Sequence, residues 1–305
     1  MRRKLCCYLC TSFLNYLGKS KKREVELVVL SDIHLGTYGC HAAELLRYLK
    51  SIKVKHLILN GDIIDMWQFS KRYWPKAHTQ VIRHITGLLT KNTRVTYLTG
   101  NHDEYLRKFS GFKLGSFHLA DKKVISLNGK RAWVFHGDVF DVTMKHSKWL
   151  AKLGAVGYDL LILINTFINF LLRVLGREKI SLSKRVKDSV KQAVSFIQDF
   201  EKTAAHIAID NQFDYVICGH IHQPQMREVT NAKGQVMYLN SGDWIENLTA
   251  LEFNEGHWSI YHYQNDAHAQ SLKLPKRLKS ERGSGEIFND LVNQFMVKRN
   301  ITESA

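Results

Sequence analysis

The sequence predicts an α/β fold whose sheet layers are covered by helices, and three observations predict it. Short β-branched runs alternate with stretches of helical period. Five of those runs lead straight into Asp, Asn or His. An interval of about eighty residues, too long for a loop and helical in pattern, separates two of them.

Taken in order, residues 1–23 open with Arg2, Arg3 and Lys4 and a short apolar stretch ending near Leu17, followed by Lys19, Lys21, Lys22 and Arg23. No small-residue cleavage site follows, so the segment reads as basic and amphipathic, suited to an anionic membrane surface. Strands are predicted at Val25–Leu30, Leu57–Leu59, Val95–Leu98, Ala132–Phe135 and Tyr215–Cys218, then at Val236–Leu239, Ala250–Phe253 and Trp258–Tyr263. Helical period covers Ala42–Ser51 and Thr79–Lys91. The core is thus expected over 24–141 and 212–266, with an inserted helical cap over 142–211 and a basic tail over 267–305.

Inside the cap, Leu160–Leu175 is nearly all apolar, with Asn165, Asn169 and Arg173 forming one polar stripe. As a helix it would run roughly 24 Å, short of a bilayer span. Its wide apolar face suits either a core or acyl chains. A second helix, expected at about Ser183–Asn211, carries Lys184, Arg185, Lys187 and Lys191.

Composition narrows the function classes. In 305 residues, 44 Lys and Arg against 28 Asp and Glu give a net charge of +16. Such a surplus favours an anionic partner: a nucleotide, a nucleic acid or an acidic lipid. No basic-aromatic strand or nucleic-acid motif accompanies the charge, so nucleic acid is not expected. Five cysteines, three of them at Cys6, Cys7 and Cys10, are too few and too irregular for a disulfide scaffold, which points to a reducing compartment.

The residues at the strand ends carry the chemistry. Leu30 runs into Ser31-Asp32-Ile33-His34, and Leu59 leads through Asn60 to Gly61-Asp62. Leu98 leads through Thr99 to Gly100-Asn101-His102-Asp103. Phe135 runs into His136-Gly137-Asp138, and Cys218 into Gly219-His220-Ile221-His222. Open α/β sheets bind ligands at such carboxyl ends. Oxygen donors with imidazoles suit Mn²⁺, Fe²⁺ or Zn²⁺ better than a structural zinc. Seven of these residues are enough for two ions if one carboxylate bridges, and such a pair, about 3.5–4 Å apart, clamps phosphoryl oxygens and activates water.

In this order the motifs resemble the calcineurin-like metallophosphoesterase family. The resemblance covers residues 31–222 and implies a two-sheet sandwich flanked by helices. It implies that Asp32, His34 and His222 hold one metal, that Asn101, His136 and His220 hold the other, and that Asp62 bridges. His102 would contact the scissile phosphate or protonate the leaving group, with Asn101 beside it and Asp103 orienting it. The cofactors implied are two divalent ions, Mn²⁺ first, Fe²⁺ or Zn²⁺ next.

Within the family the chain is similar to UDP-2,3-diacylglucosamine pyrophosphatases of lipid A synthesis, through its length, Trp67 after Gly61-Asp62, and the cap between His136 and His220. That implies a diphosphate bond in a lipid-linked nucleotide as substrate, Phe167 and Leu171 against acyl chains, and Lys184, Lys187 and Lys191 at the diphosphate. It also implies a cytoplasmic enzyme, peripheral on the inner face of the membrane. The main enzyme of that pathway carries Arg where His102 stands, while His102 fits the general phosphoesterase motif and a paralogous group. A phosphodiesterase or phosphatase of another substrate is the alternative, and a metal-free scaffold of the same fold a lesser one. Asp138 and Asp141 are read as partners for His136 or as plain turn residues, and Asn240-Ser241-Gly242-Asp243-Trp244 as a structural turn.

Overall fold

The computed structural model describes residues 22–67, 73–140 and 183–274. Phe167, Leu171 and the apolar run at 160–175 lie outside the described residues, as do the side chains of Lys184, Lys187 and Lys191.

The elements run β1 (Arg23–Leu30), α1 (Ala42–Ser51), β2 (Ile52–Asn60), α2 (Lys76–Leu89), β3 (Arg94–Leu98), β4 (Lys113–Leu114), β5 (Phe117–Ala120), β6 (Lys122–Leu127) and β7 (Lys130–Phe135). After the undescribed interval come α3 (Ser183–Asp210), β8 (Tyr215–Cys218), β9 (Gln225–Asn231), β10 (Gly234–Asn240), β11 (Thr249–Asn254), β12 (His257–His262) and α4 (Ala267–Ser271). They form a seven-stranded sheet, β12-β11-β1-β2-β3-β5-β4, and a five-stranded sheet, β6-β7-β8-β10-β9. The centre of each is parallel: β1, β2, β3 and β5 in the first, β7, β8 and β10 in the second. Parallel strands need both faces covered, and the buried residues show how this is met.

Alternate residues point to opposite faces of a strand. Leu27, Val29, Ile58, Leu98 and Leu251 of the first sheet cluster with Ala132, Val134, Ile217 and Leu239 of the second, so the two sheets pack face to face. Val28, Leu30, Leu57 and Leu59 point the other way, onto Leu45, Leu49, Val81 and Ile85 of α1 and α2. Phe200, Ala204, Ala205 and Ala208 of α3 cover Val216, Cys218, Val236 and Tyr238 on the outer face of the second sheet. The result is a four-layer sandwich, helices–sheet–sheet–helix.

Two helices close the layers. The second half of α3 is a layer of this sandwich, with Phe200, Ala204 and Ala208 fully buried. The short helix α4 lies at the start of the expected tail, yet Ala269 is buried and Asp266 caps the helix by accepting from the Ala269 N–H at 2.8 Å. The apolar faces of α3 and α4 are short and interrupted by charges, which hides their docking from a reading of composition.

Candidate metal centre

Seven candidate ligand residues follow the ends of parallel strands in both sheets. Asp32 and His34 follow β1, Asp62 follows β2 and Asn101 follows β3; His136 follows β7, and His220 and His222 follow β8. The chain must turn sharply there to aim each side chain inward. Asp32, His34, Asp62, His220 and His222 all adopt left-handed backbone, with φ of 50°, 53°, 55°, 69° and 54°. For non-glycine residues this conformation costs about 1–2 kcal/mol each and persists only where the surroundings enforce it. Backbone bonds do so: Asp32 N–H donates to Gly61 O at 3.1 Å, and His34 N–H to Asp62 O at 2.9 Å. Close approach does the rest. A Cβ on Gly219 would sit 2.6 Å from Ser31 Cβ, and one on Gly100 would collide with the Asp62 carboxylate.

Possible ligand atoms fall into two sets that join the sheets, Asp32–His34–His222 and Asp62–His136–His220, and a third beside them, His34–Asp65–His102, each with its atoms within 4.8 Å of one another. Asp32 Oδ1 is 3.2 Å from His222 Nε2, and Asp62 Oδ2 is 3.3 Å from His136 Nε2. Donors around one tetrahedral ion, each about 2.1 Å from it, lie roughly 3.4 Å apart. Asp62 Oδ2 also lies 3.9 Å from His34 Nε2, and Asp32 Oδ1 4.0 Å from His136 Nε2, so the two sets adjoin. Asp32 Oδ1, His34 Nε2, Asn101 Oδ1 and His136 Nε2 are buried with no hydrogen-bond partner. Orphaned polar atoms at such depth are costly unless a cation satisfies them. The residues present therefore fit divalent ions.

Electrostatics agree. Burial pushes the Asp32 carboxyl up, but His222 and His136 outweigh it and hold it at about 2. Burial likewise opposes ionisation of Asp62, yet His136 and His34 keep it well below the usual carboxylate range. His222 rises to about 9 against its own burial, because Asp32 and Asp243 face it. Two carboxylates thus share a dry pocket, their charge balanced by imidazoles that would release protons to a metal.

Supporting contacts fix the imidazoles. His136 Nδ1 lies 2.8 Å from the Asn60 carbonyl, which leaves Nε2 for a ligand role. Asp138 is not its partner: it pairs with Arg107. Asp103 does not face His102 either. Its oxygens accept from Gly100 N–H (2.6 Å), Ile63 N–H (3.0 Å) and Tyr97 OH (2.6 Å), which ties the β2 and β3 loops together. The carboxylate beside His102 is Asp65, whose Oδ2 lies 2.9 Å from His102 Nδ1 and 3.2 Å from His34 Nδ1. Burial would lower the pKa of His102, but Asp65 and Asp62 raise it, favouring a protonated ring. Sequence reasoning missed Asp65; the signal available was its place three residues beyond Asp62 in Gly61-Asp62-Ile63-Ile64-Asp65. Half-exposed Trp67 lies against His102, ring centroids 4.2 Å apart.

The Asn240–Trp244 turn is a brace for the centre. Asn240 Nδ2 donates to Gly219 O (2.9 Å), Trp244 N–H to Asp32 O (3.1 Å), and Ser31 Oγ lies 2.6 Å from Ser241 Oγ. Asp243 Oδ1 accepts from the Ile245 and Glu246 N–H groups, and its other oxygen lies 3.9 Å from His222 Nδ1.

A two-sheet α/β sandwich with paired carboxylate–imidazole sets at its strand ends defines a metal-dependent phosphohydrolase. The calcineurin-like phosphoesterase model matches residues 25–224, and the chain belongs to that family. Among curated relatives, a UDP-2,3-diacylglucosamine hydrolase of Blochmanniella pennsylvanica is 23% identical over 76% of this chain and 93% of its own. One from Escherichia coli O157:H7 is 24% identical over 70% of this chain and 89% of its own. Among solved structures, Yfce, a phosphoesterase from E. coli, is 15% identical with a TM-score of 0.39, covering 79% of this chain and 93% of its own.

Proposed function

We propose that this chain hydrolyses the diphosphate bond of a UDP-2,3-diacylglucosamine-type lipid-linked nucleotide, using two divalent ions, with manganese the preferred metal. The observation that carries the reading is the convergence of four orphaned ligand atoms from both sheets on one pocket. Asp32, His34 and His222 would hold one ion, Asn101, His136 and His220 the other, and Asp62 would serve both. Bound there, the ions would supply Lewis-acid polarisation of the phosphoryl oxygens and water activation.

The protein's own groups do the remainder. His102 N–H donates to Asp62 Oδ1 at 2.8 Å, which fixes the loop so that the imidazole stands at the mouth of the pocket. Beside Asp65, whose carboxylate favours its charged form, that ring would hydrogen-bond the phosphate and give a proton to the departing phosphate oxygen. One water is consumed, one P–O–P bond breaks, and two phosphomonoesters leave.

Substrate choice rests on the relatives being UDP-2,3-diacylglucosamine hydrolases and on the sequence between the two core segments. Lys184, Lys187 and Lys191 lie on α3 at spacings of three and four, which places them along one helix face, suited to a diphosphate. The apolar run with Phe167 and Leu171 would meet the acyl chains, each buried CH₂ contributing roughly 0.8 kcal/mol. Residues 1–23 and this run would keep the enzyme peripheral on the inner face of a membrane. No helix among the described residues is long and apolar enough to cross one.

The test compares Mn²⁺-loaded protein on UDP-2,3-diacylglucosamine, UDP-N-acetylglucosamine and bis(p-nitrophenyl) phosphate. The diacylated nucleotide should be favoured at least about 100-fold in kcat/KM. If it is ignored while the small diester is cleaved well, the lipid-linked substrate is wrong, and the general phosphodiesterase that His102 also fits takes its place.

A further inference from the structure

At the other end of the sandwich an open cleft of about 440 Å³ separates the two sheets. Its walls carry Lys55 and His56 of β2, Arg94 of β3, Lys113 of β4, His118 of β5 and Lys123 of β6, and no Asp or Glu lines it. The cleft lies where β3 begins, whereas the metal centre lies beyond its end; Arg94 and Leu98 are about 13 Å apart at 3.3 Å per residue.

One cation here has a counter-charge: Lys55 Nζ lies 3.7 Å from Oε1 of Glu26, which lines the adjoining crevice. Among the described residues, no ion pair reaches Arg94, Lys113 or Lys123. Lys123 Nζ instead donates to His118 Nδ1 at 3.1 Å, and His56 Nε2 lies 3.0 Å from the buried Thr96 hydroxyl. Burial, with Arg94 and Lys123 nearby, holds His56 at about 4; burial, Lys123 and Lys113 lower His118. The His56 ring is therefore neutral near pH 7 and stands among cations that repel one another. A volume of this size is that of a small-molecule site.

We propose that this cleft binds a small anion of the diphosphate class, at a site separate from the metal centre. Arg94 offers a planar fork for two phosphoryl oxygens, Lys113 a point charge from the same sheet and Lys123 one from the other sheet. An acidic lipid surface would present similar phosphates, but a cleft between two sheets admits a small molecule more readily than a flat bilayer.

The experiment uses the full-length, metal-loaded protein and methylenediphosphonate, which phosphoesterases do not cleave at its P–C–P bridge. Calorimetric titration at fixed ionic strength should show binding in the parent that is weakened at least about tenfold by Arg94→Ala with Lys113→Ala. Hydrolysis of bis(p-nitrophenyl) phosphate should change less than about twofold, since neither residue touches the centre. Lys113→Ala alone, an exposed position on a two-residue edge strand, carries the same test should the pair fold poorly. Identical isotherms for parent and variant would overturn the proposal, because the metal centre would then account for all binding. So would unchanged diphosphonate binding alongside weakened sedimentation with phosphatidylglycerol vesicles, which would make the face a membrane contact.

Discussion

The two sheets bring different chemistry to one centre. The seven-stranded sheet supplies Asp32, His34, Asp62 and Asn101, a set rich in oxygen donors; the five-stranded sheet supplies only imidazoles, His136, His220 and His222. The sets Asp32–His34–His222 and Asp62–His136–His220 each take members from both. The first sheet brings two buried carboxylates that repel one another, and His136 and His222 of the second help to hold both carboxyls low. Metal affinity is therefore a property of how the sheets are registered against each other, and the inter-sheet core around Ile58 and Leu239 belongs to the site as much as the ligands do.

The most severe way to break this pairing is Asp62→Ala. It removes the carboxylate proposed to serve both ions and should empty both sets, with kcat falling at least roughly 10⁴-fold. Elemental analysis beside a rate assay checks it, and one retained equivalent of metal would show that the sets are independent. His102→Ala should leave metal content intact and cost roughly 10²–10⁴ in kcat. Loss of metal in that variant would move His102 from proton transfer to ligation. Asp65→Asn should cost less than His102→Ala and shift the pH–rate profile, since it acts through that ring.

A subtler variant sharpens the comparison. Leu239→Ala and Val81→Ala both delete fully buried methyl groups, at roughly 2–5 and 1–3 kcal/mol of stability. Leu239 lies between the sheets and Val81 beneath a helix. Only the first should weaken metal binding measured by competition with a chelator. Equal losses of affinity would mean that sheet register does not matter.

The smallest effect is one of pH. His78 is buried, which holds it at about 4, and Gly36 N–H donates to its Nδ1 at 3.0 Å, so the folded ring is neutral. Its pKa in the unfolded chain is about 6.5, so between pH 6.5 and 4 the unfolded state binds the extra proton. Stability from this group is complete above pH 6.5 and is lost as pH falls towards 4, by roughly 2–3 kcal/mol. Urea midpoints of the parent should fall over that window, and His78→Gln should flatten the fall. An unchanged slope would show that other groups govern it.

Much of this was legible in the sequence. The strand tips could be read because an apolar run followed by Asp, Asn or His leaves few alternatives, and Tyr215–Cys218 and Ala42–Ser51 have the bounds their pattern predicts. β9 escaped notice because Gln225–Asn231 is an edge strand whose exposed face carries Arg227's neighbours in polar alternation rather than a β-branched run. The motif spacing is what proposes the seven ligand positions. Asp65 and the corrected role of Asp103 were not legible there, since which carboxylate faces His102 depends on how two loops from different strands fold over each other. Both are aspartates just past a strand end, and nothing in their spacing says which one bonds backbone and which one an imidazole.

The position of β11 has a consequence for biogenesis. It completes the first sheet by pairing with β1, Leu27 opposite Phe253, and Arg23 donates to Glu252 across 229 positions of sequence. Until residues near 254 have left the ribosome, β1 presents an open, apolar edge, and the four other pairings on its side of the sheet must already wait for it. Non-local closure of this kind slows folding and prolongs exposure of unpaired strands. The nascent chain therefore passes through a sticky, half-sheeted stage in which aggregation competes with completion, and a truncation before β11 should emerge insoluble even though every proposed metal ligand has been made.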